Sequence, residues 1–505
     1  MTSVHSSMTG DRSEAVLPAM IRTPGKFLGL LACWFGFQVV LRTAISPTAN
    51  LDEAEQLMLT QEWTLGYGPQ PPLYTWLQSA VFALTGVSIF SLALLKNALL
   101  FGTYSLTYFA ARMATGRHQA GVAAALLLFF IPQIVWESQR DLTHSVLAST
   151  LAVATFLALL RAQRNRGLPA YLALGAVIGL GALAKYNFAL WAAGLLVAAL
   201  TMAEFRGAIL NWRAIPALLL AAAIVAPHGA WAWKNRDQVT RTASKLQMHA
   251  NDGGNASAPQ TAASALRARA RGLAKMLWAV VRFIAPAGIV LAVFVWPARA
   301  RLLNQRAVPA SRLLARAFAV IGVLLLMGIL ATGATGFKDR WFQPILICSA
   351  VALSAWSFEV WDRRRMAWLL GMAAVVMFCV AVFLPGKVFL AERTKREERL
   401  NFPLAELGGQ LATRIPPNTT LIADSAFLAG NLRLGMPEFK VCSTVWRMPA
   451  NRPCCLVWDG RERVAPPPGL AAIAVAGEPG VPVSLEAPLR NQGSRRYRLG
   501  ALLCE

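Results

Sequence analysis

The sequence predicts an all-α polytopic membrane protein of about eleven transmembrane helices, followed by a small extracytoplasmic α/β domain. Composition is the first reason. Of 505 residues, 56% are hydrophobic and 15% charged, against roughly 45–50% and 25% in soluble domains. The mean hydropathy is +0.47. The second reason is that apolar runs long enough to cross a bilayer recur along most of the chain. The third is that basic residues gather in alternate connections between those runs. The net charge of +24 would on a soluble protein point to nucleic acid, but here topology accounts for it and no nucleic-acid partner is expected. The 16 Trp suit two membrane–water interfaces. Disorder, collagen, coiled coil and a disulfide scaffold are excluded by the same numbers.

Residues 1–25 are polar and read as a cytoplasmic tail. Leu30-Leu31-Ala32-Cys33 resembles a lipoprotein cleavage box, but the apolar stretch before it is about four residues, against roughly 7–15 in a signal peptide. The run continues to Leu41, so it reads as an uncleaved first span. A ruler of about 20 apolar residues places spans near 26–45, 88–111, 118–136, 142–160, 169–184, 187–205, 212–232, 275–297, 313–333, 341–358 and 366–385. The fifth is short and runs into Lys185. With the N-terminus inside, the inner connections hold Arg112 and Arg117, Arg161 to Arg166, Arg206 and Arg213, Arg299 to Arg316, and Arg363 to Arg365. The outer segment 46–87 holds Asp52, Glu53, Glu55 and Glu62 and no Lys or Arg, as the positive-inside rule requires. This orientation puts the end of the chain outside. The transmembrane domain is 26–387, with 46–87 as its first external loop.

Residues 388–505 read differently. A charged exit over 388–400 precedes a strand at Thr420–Ala423, a helix over Phe427–Leu434 and a strand at Cys455–Trp458, the pattern of a small α/β domain. Cys33, Cys348 and Cys379 fall in apolar runs as small hydrophobes. Cys442, Cys454, Cys455 and Cys504 fall in the external domain, where a disulfide from Cys442 is open. No His or Cys spacing suits zinc, no glycine-rich phosphate loop occurs, and no internal repeat is visible.

Four short constellations could carry chemistry. In Asn50-Leu51-Asp52-Glu53-Ala54-Glu55, Asp52 could cap a helix starting at Glu53, with Glu55 completing a capping box. A carboxylate at the membrane surface could equally take a proton from an acceptor hydroxyl. Gln70-Pro71-Pro72 then forces an extended entry to an interfacial helix carrying Tyr74 and Trp76. The hairpin Trp136–His144 offers Arg140, Asp141 and His144, with Asp141 as a cap for span four. Lys185-Tyr186 and Lys338-Asp339-Arg340-Trp341 sit at outer span ends, where snorkelling to headgroups is the plain reading. That reading leaves their coincidence unexplained. Asp52, Asp141, Lys185 and Arg340 all fall on one side, and two carboxylates with two cations suit an anionic lipid.

Asp52-Glu53-Ala54 in the first external loop, followed by Pro71-Pro72-Leu73 and an aromatic helix, resembles the GT-C membrane glycosyltransferases. The likeness is to the dolichyl-phosphate-mannose–protein mannosyltransferase superfamily, on the branch of the bacterial aminoarabinose lipid A transferases and rhizobial galacturonosyltransferases. The resemblance implies transfer of one sugar from a polyprenyl-phosphate carrier to an envelope acceptor, whether lipid A, lipopolysaccharide core, another glycolipid or a protein. It places the reaction on the extracytoplasmic face of the bacterial inner membrane. It implies Asp52 as the base, Glu53 as its motif neighbour and Asp141 as the second acid. Lys185 falls where a carrier-phosphate Lys is expected, and Arg340 heads the pattern Arg340-Trp341-Phe342-Gln343-Pro344. Tyr74, Arg140, His144, Tyr186 and Trp341 complete the expected substrate site. Gln70 departs from the pattern, since His or Lys commonly precedes the double proline, and Gln carries no charge to meet a phosphate. No cofactor is required, although two acids could hold a divalent cation. The alternative class, a transporter or flippase of lipid-linked sugars, calls for charges deep in the spans. The apolar runs are nearly free of them.

Overall fold

The computed structural model describes residues 18–244, 262–304, 307–444, 453–474 and 481–504. The polar tail up to residue 17 lies outside these residues. Among the described residues, seven helices are long and apolar enough to cross a membrane: Pro24–Ile45, Ile89–Thr115, His144–Arg164, Ala214–Lys234, Ala263–Ala298, Pro309–Thr332 and Arg363–Phe389. Two further spans expected as straight helices are sharply bent. His118–Phe130 meets Gln133–Arg140 at 75°, and Phe188–Leu200 meets Ala203–Ile209 at 115°. Pro132 sits at the first bend, where the chain continues as a π-helix over Gln133–Glu137. A proline lacks the N–H needed to continue the α-helical ladder. The remaining apolar segments, Leu168–Ala184 and Gln343–Trp356, are shorter. The bundle core is dense between Ile89–Thr115, His118–Leu127 and His144–Arg164, with Tyr104, Tyr108, Phe129 and Phe156 all buried.

The segment between the first two long spans builds two short helices. Leu51–Leu59 is capped by Asn50, and Glu53 at its third position returns a hydrogen bond to the Asn50 backbone. This corrects the expected cap: the capping box is Asn50 with Glu53, and Asp52 is released from it. Pro72 then opens the helix Leu73–Thr85. Between them, Tyr67 and Gln70 exchange backbone hydrogen bonds of 3.1 and 3.2 Å across a tight turn. Gly68 adopts φ +59° there, a conformation that costs a residue with a Cβ.

The C-terminal unit is an α/β domain around a five-stranded sheet ordered β2-β1-β3-β5-β4. Its strands are β1 (Thr420–Ala423), β2 (Val441–Ser443), β3 (Cys454–Asp459), β4 (Val483–Leu489) and β5 (Gln492–Cys504). β1 runs parallel to both β2 and β3, while β5 is antiparallel to β3 and β4. The helix Ala426–Gly435 links β1 to β2. Cys454 lies opposite Cys504 in the β3–β5 register, and Cys442 joins both in one buried cluster. No disulfide links the described cysteines.

This domain grips the loop between the first two long spans. Met58, Leu59 and Tyr67 enter the hydrophobic core formed by Phe402, Leu407, Leu428 and Leu432. Asn431 accepts from the Ala49 N–H at 2.9 Å and donates back to its carbonyl at 3.2 Å. Gln61 exchanges bonds of 2.6 and 3.0 Å with the Val441 backbone. Gly430 makes the contact close, for a Cβ there would lie 2.0 Å from the Ala54 carbonyl oxygen.

Candidate active site

Leu51–Leu59 carries two adjacent carboxylates that turn to opposite environments, because successive residues on an α-helix point about 100° apart. Glu53 turns inward and is fully buried. It accepts from Arg42 at 2.5 and 3.2 Å, from Lys96 Nζ at 2.8 Å and from the Asn50 N–H at 3.0 Å. Burial opposes its ionisation, but the charges of Arg42 and Lys96 outweigh this and hold it well below the usual carboxylate range. Glu53 is thus an anchor for the loop rather than a group facing a cavity. Lys96 is a buried charge inside the span Ile89–Thr115, an exception in spans expected to be nearly free of charge. It binds Glu53 and the Gln139 carbonyl, so it serves the loop and not a path across the bilayer.

Asp52 turns the other way, into a cavity of about 740 Å³. Its Oδ1 lies 3.9 Å from an Arg340 guanidinium nitrogen, and its side chain keeps 27% of its exposure. Burial pushes its carboxyl up, the charge of Glu55 adds to this, and Arg340, Lys185 and Lys96 pull it partly back. The same cavity is lined by Glu55, Gln70, His144, Lys185, Tyr186, Arg340 and Trp341. One side is apolar, formed by Leu190, Leu325, Phe337 and Ile345. Seven of the residues expected from sequence therefore come together: Asp52, Gln70, His144, Lys185, Tyr186, Arg340 and Trp341.

The others stand behind the cavity or away from it. Asp141 is buried, and instead of capping the span His144–Arg164 its Oδ1 accepts the Asp52 N–H at 2.8 Å. Burial first, and then the negative charge of Asp52, raise the Asp141 carboxyl above its ordinary value. Asp141 is a positioning group for Asp52. Tyr74 is fully buried, with its ring 5.3 Å from that of His144. Pro71 and Pro72 are buried in the turn. Arg140 pairs with Glu137 at 2.8 Å and contributes only its carbonyl, which accepts from Asn50.

Neighbouring bonds fix the lining residues. Lys185 Nζ donates to Ser145 Oγ at 2.6 Å. Asn187 Nδ2 donates to the Trp341 carbonyl at 2.6 Å, tying the two cationic span ends together. Gln56 joins His144 Nε2 at 3.2 Å and accepts from Thr75 at 2.9 Å. His228 bridges the Leu65 carbonyl at 2.7 Å and the Tyr186 hydroxyl at 3.3 Å.

Several contributors escaped the sequence reading. Glu55 lies three residues after Asp52, the spacing that puts two side chains on one helix face. Lys96 carried a signal too, as a charge in an apolar run. Ser425 and Phe427 of the C-terminal domain also line the cavity, and nothing local announces them. Among the described residues no three His, Cys, Asp or Glu side chains converge as metal ligands. Asp52 and Glu55 instead share their cavity with Arg340 and Lys185, a donor set that does not fit a protein-held cation.

Comparison with known proteins gives the family of the chain. Residues 69–231 match the family model described as dolichyl-phosphate-mannose-protein mannosyltransferase. The chain is 36% identical over 493 residues to the lipopolysaccharide core galacturonosyltransferase RgtB of Rhizobium johnstonii, covering 93% of this chain and 96% of the relative. It is 30% identical over 460 residues to RgtA of the same organism, covering 86% of each. In fold it is similar to the crystal structure of ArnT from Cupriavidus metallidurans bound to undecaprenyl phosphate, with a TM-score of 0.56 at 12% identity over 94% of this chain and 98% of that one. With these relatives matched along nearly their whole length, the chain belongs to the GT-C membrane glycosyltransferases, in the family of the lipopolysaccharide core galacturonosyltransferases.

Proposed function

We propose that this glycosyltransferase takes a single sugar from a polyprenyl-phosphate carrier and passes it to a hydroxyl of the lipopolysaccharide core, with inversion at the anomeric carbon. The observation that carries the reading is the meeting of Asp52, Arg340 and Lys185 in one cavity with an apolar side. The acceptor hydroxyl attacks the anomeric carbon as the bond from that carbon to the phosphate oxygen breaks. Asp52 takes the hydroxyl proton. Negative charge collects on the departing phosphate, where fixed cations stabilise it most, and Arg340 and Lys185 are placed to do so. Arg340 offers a planar fork for two phosphate oxygens. Gln70 supplies a hydrogen bond without charge. The apolar side of Leu190, Leu325, Phe337 and Ile345 suits the isoprenoid chain.

Two relatives support this choice: their names specify galacturonic acid transfer to the lipopolysaccharide core, and the ArnT structure contains undecaprenyl phosphate. The arginine-rich inner connections support the orientation that puts the cavity and the C-terminal domain outside the inner membrane.

The test is ligand protection of the purified protein. A ligand that binds only the folded state stabilises it by about 2.7 kcal/mol at a hundredfold excess over Kd. Undecaprenyl phosphate should raise the melting temperature, while an equal amount of phosphatidylglycerol should not. Lys185→Ala and Arg340→Ala should each reduce the effect. Equal protection by both lipids in the wild type would remove the carrier from the reading.

A further inference from the structure

A second cavity, of about 950 Å³, lies in the C-terminal domain and opens beside the first. Leu51, Ser425 and Phe427 line both. Its position follows from the sheet. β1 has β2 on one side and β3 on the other, so the connections leave β1 and β3 in divergent directions. In open α/β sheets the crevice beyond the carboxyl ends of such strands is where ligands bind. Asp424 directly follows β1 and Asp459 ends β3, and both line this cavity.

The chemistry of its wall differs from that of the transfer cavity. Asp424 Oδ2 accepts the Asp459 N–H at 2.8 Å, while Asp424 Oδ1 is buried with no partner among the described residues. A buried carboxylate oxygen left unpaired is costly, and a donor from a ligand removes that cost. Two of the lining cations are already engaged, Lys387 with Glu398 and Arg461 with Glu397 and Asp459. Arg399, Arg463 and Glu462 make no ion pair among the described residues, and all three face this cavity. Acceptors for hydroxyls, set beside spare guanidinium groups, suit a saccharide that carries an anionic substituent.

We propose that this second cavity seats the oligosaccharide of the acceptor, an anionic lipopolysaccharide core, while the sugar that receives the transfer reaches Asp52. Asp424 accepts from saccharide hydroxyls, and Arg399 and Arg463 meet the carboxylate or phosphate groups. The shared residues Leu51, Ser425 and Phe427 form the sill over which the acceptor passes. This assignment rests on the transfer reaction proposed above but concerns the acceptor alone.

The experiment uses full-length protein in lipid nanodiscs and lipid-free lipopolysaccharide core oligosaccharide as the probe, with binding followed by titration calorimetry. The wild type should bind it. Arg463→Ala, Arg399→Ala and Asp424→Asn should each weaken binding about tenfold or more, the equivalent of about 1.4 kcal/mol. Protection of the same variants by undecaprenyl phosphate reports that they are folded. Loss of oligosaccharide binding together with loss of that protection is unfolding; Arg463 then decides, because it is exposed and makes no ion pair among the described residues. No binding by the wild type, or unchanged affinity in Arg463→Ala, overturns the proposal. The two readings fail separately. Transfer from a polyprenyl-phosphate donor with an unchanged acceptor KM in these variants removes the second cavity and leaves the reaction. Arg463-dependent binding without any such transfer removes the reaction and leaves the cavity.

Discussion

Asp52→Asn and Glu53→Gln, made one at a time, test opposite consequences of neighbouring residues. Asp52 has no capping duty, because Asn50 and Glu53 perform it, and its side chain faces a cavity. Loss of a general base typically costs about 10²–10⁴ in rate, and that is the fall expected in kcat. The sign of the stability change follows from the raised carboxyl of Asp52, which burial and Glu55 push up to about 6. The fold favours the protonated form, so folding loses stability as pH rises from the ordinary carboxylate value through about 6. Asn removes that loss, and at pH 7 the variant should melt at the wild-type temperature or above. Glu53→Gln strips the partner from both Arg42 and Lys96, each buried. Breaking a buried pair typically costs about 3–5 kcal/mol, a large part of the roughly 5–15 kcal/mol that holds a typical domain. The assay is a detergent melting curve beside a transfer assay on the same preparation. Stable Glu53→Gln protein that has lost only kcat, or unstable Asp52→Asn protein with normal kcat per folded molecule, would refute the division of labour.

Other consequences are as direct. The acid limb of the kcat/KM profile should fall as pH drops through about 6, the value for Asp52, and Glu55→Gln should move that limb to lower pH by removing a like charge. Asp141→Asn should lower kcat less than Asp52→Asn, since the amide oxygen can still accept the Asp52 N–H, and circular dichroism should be unchanged. Gly430→Ala should force the C-terminal domain off the loop helix, costing about 1–3 kcal/mol as overpacking does, read as a lower melting temperature. A cytoplasm-only reporter fused after Glu505 should be silent if the C-terminal domain is extracytoplasmic.

Much of the bundle was legible because length and apolarity are local properties. The two bends differ: Pro132 marks the 75° one in the sequence, although a ruler of length and apolarity passes over it, whereas the Thr201-Met202 break at the 115° bend carries no proline or glycine signal. In the C-terminal domain the strand at Thr420–Ala423, the helix after it and the strand ending in Trp458 stood out by composition, and the structure has them as β1, Ala426–Gly435 and β3. The local pattern alone puts the capping box two residues late, because an acid at either position satisfies it. The roles of Asp52 and Glu53 could not be separated by sequence at all. What separates them is Lys96, 43 positions after Glu53, a partner that only tertiary structure supplies. The contribution of Ser425 and Phe427 to the transfer cavity was hidden for the same reason.

The placement of the anchor explains how a loop outside the bundle can hold Asp52, the proposed base, with the precision that proton transfer needs. A surface helix of nine residues is too short to be stable alone. Here it is pinned from both sides. Beneath it, Arg42 from the first span and Lys96 from the next long span close on one carboxylate. Above it, Asn431 and Gln61 bond across to and from the C-terminal domain. Burying three charged groups is a poor way to gain stability, since desolvation offsets most of the attraction. It is an effective way to fix register, because a slip of one residue would strand Arg42 and Lys96 and bring Asp52 inward. The energy spent on the ion triad therefore appears as position: Asp52 is held facing Arg340, with Asp141 gripping its backbone N–H, while its own side chain stays unencumbered by structural duty.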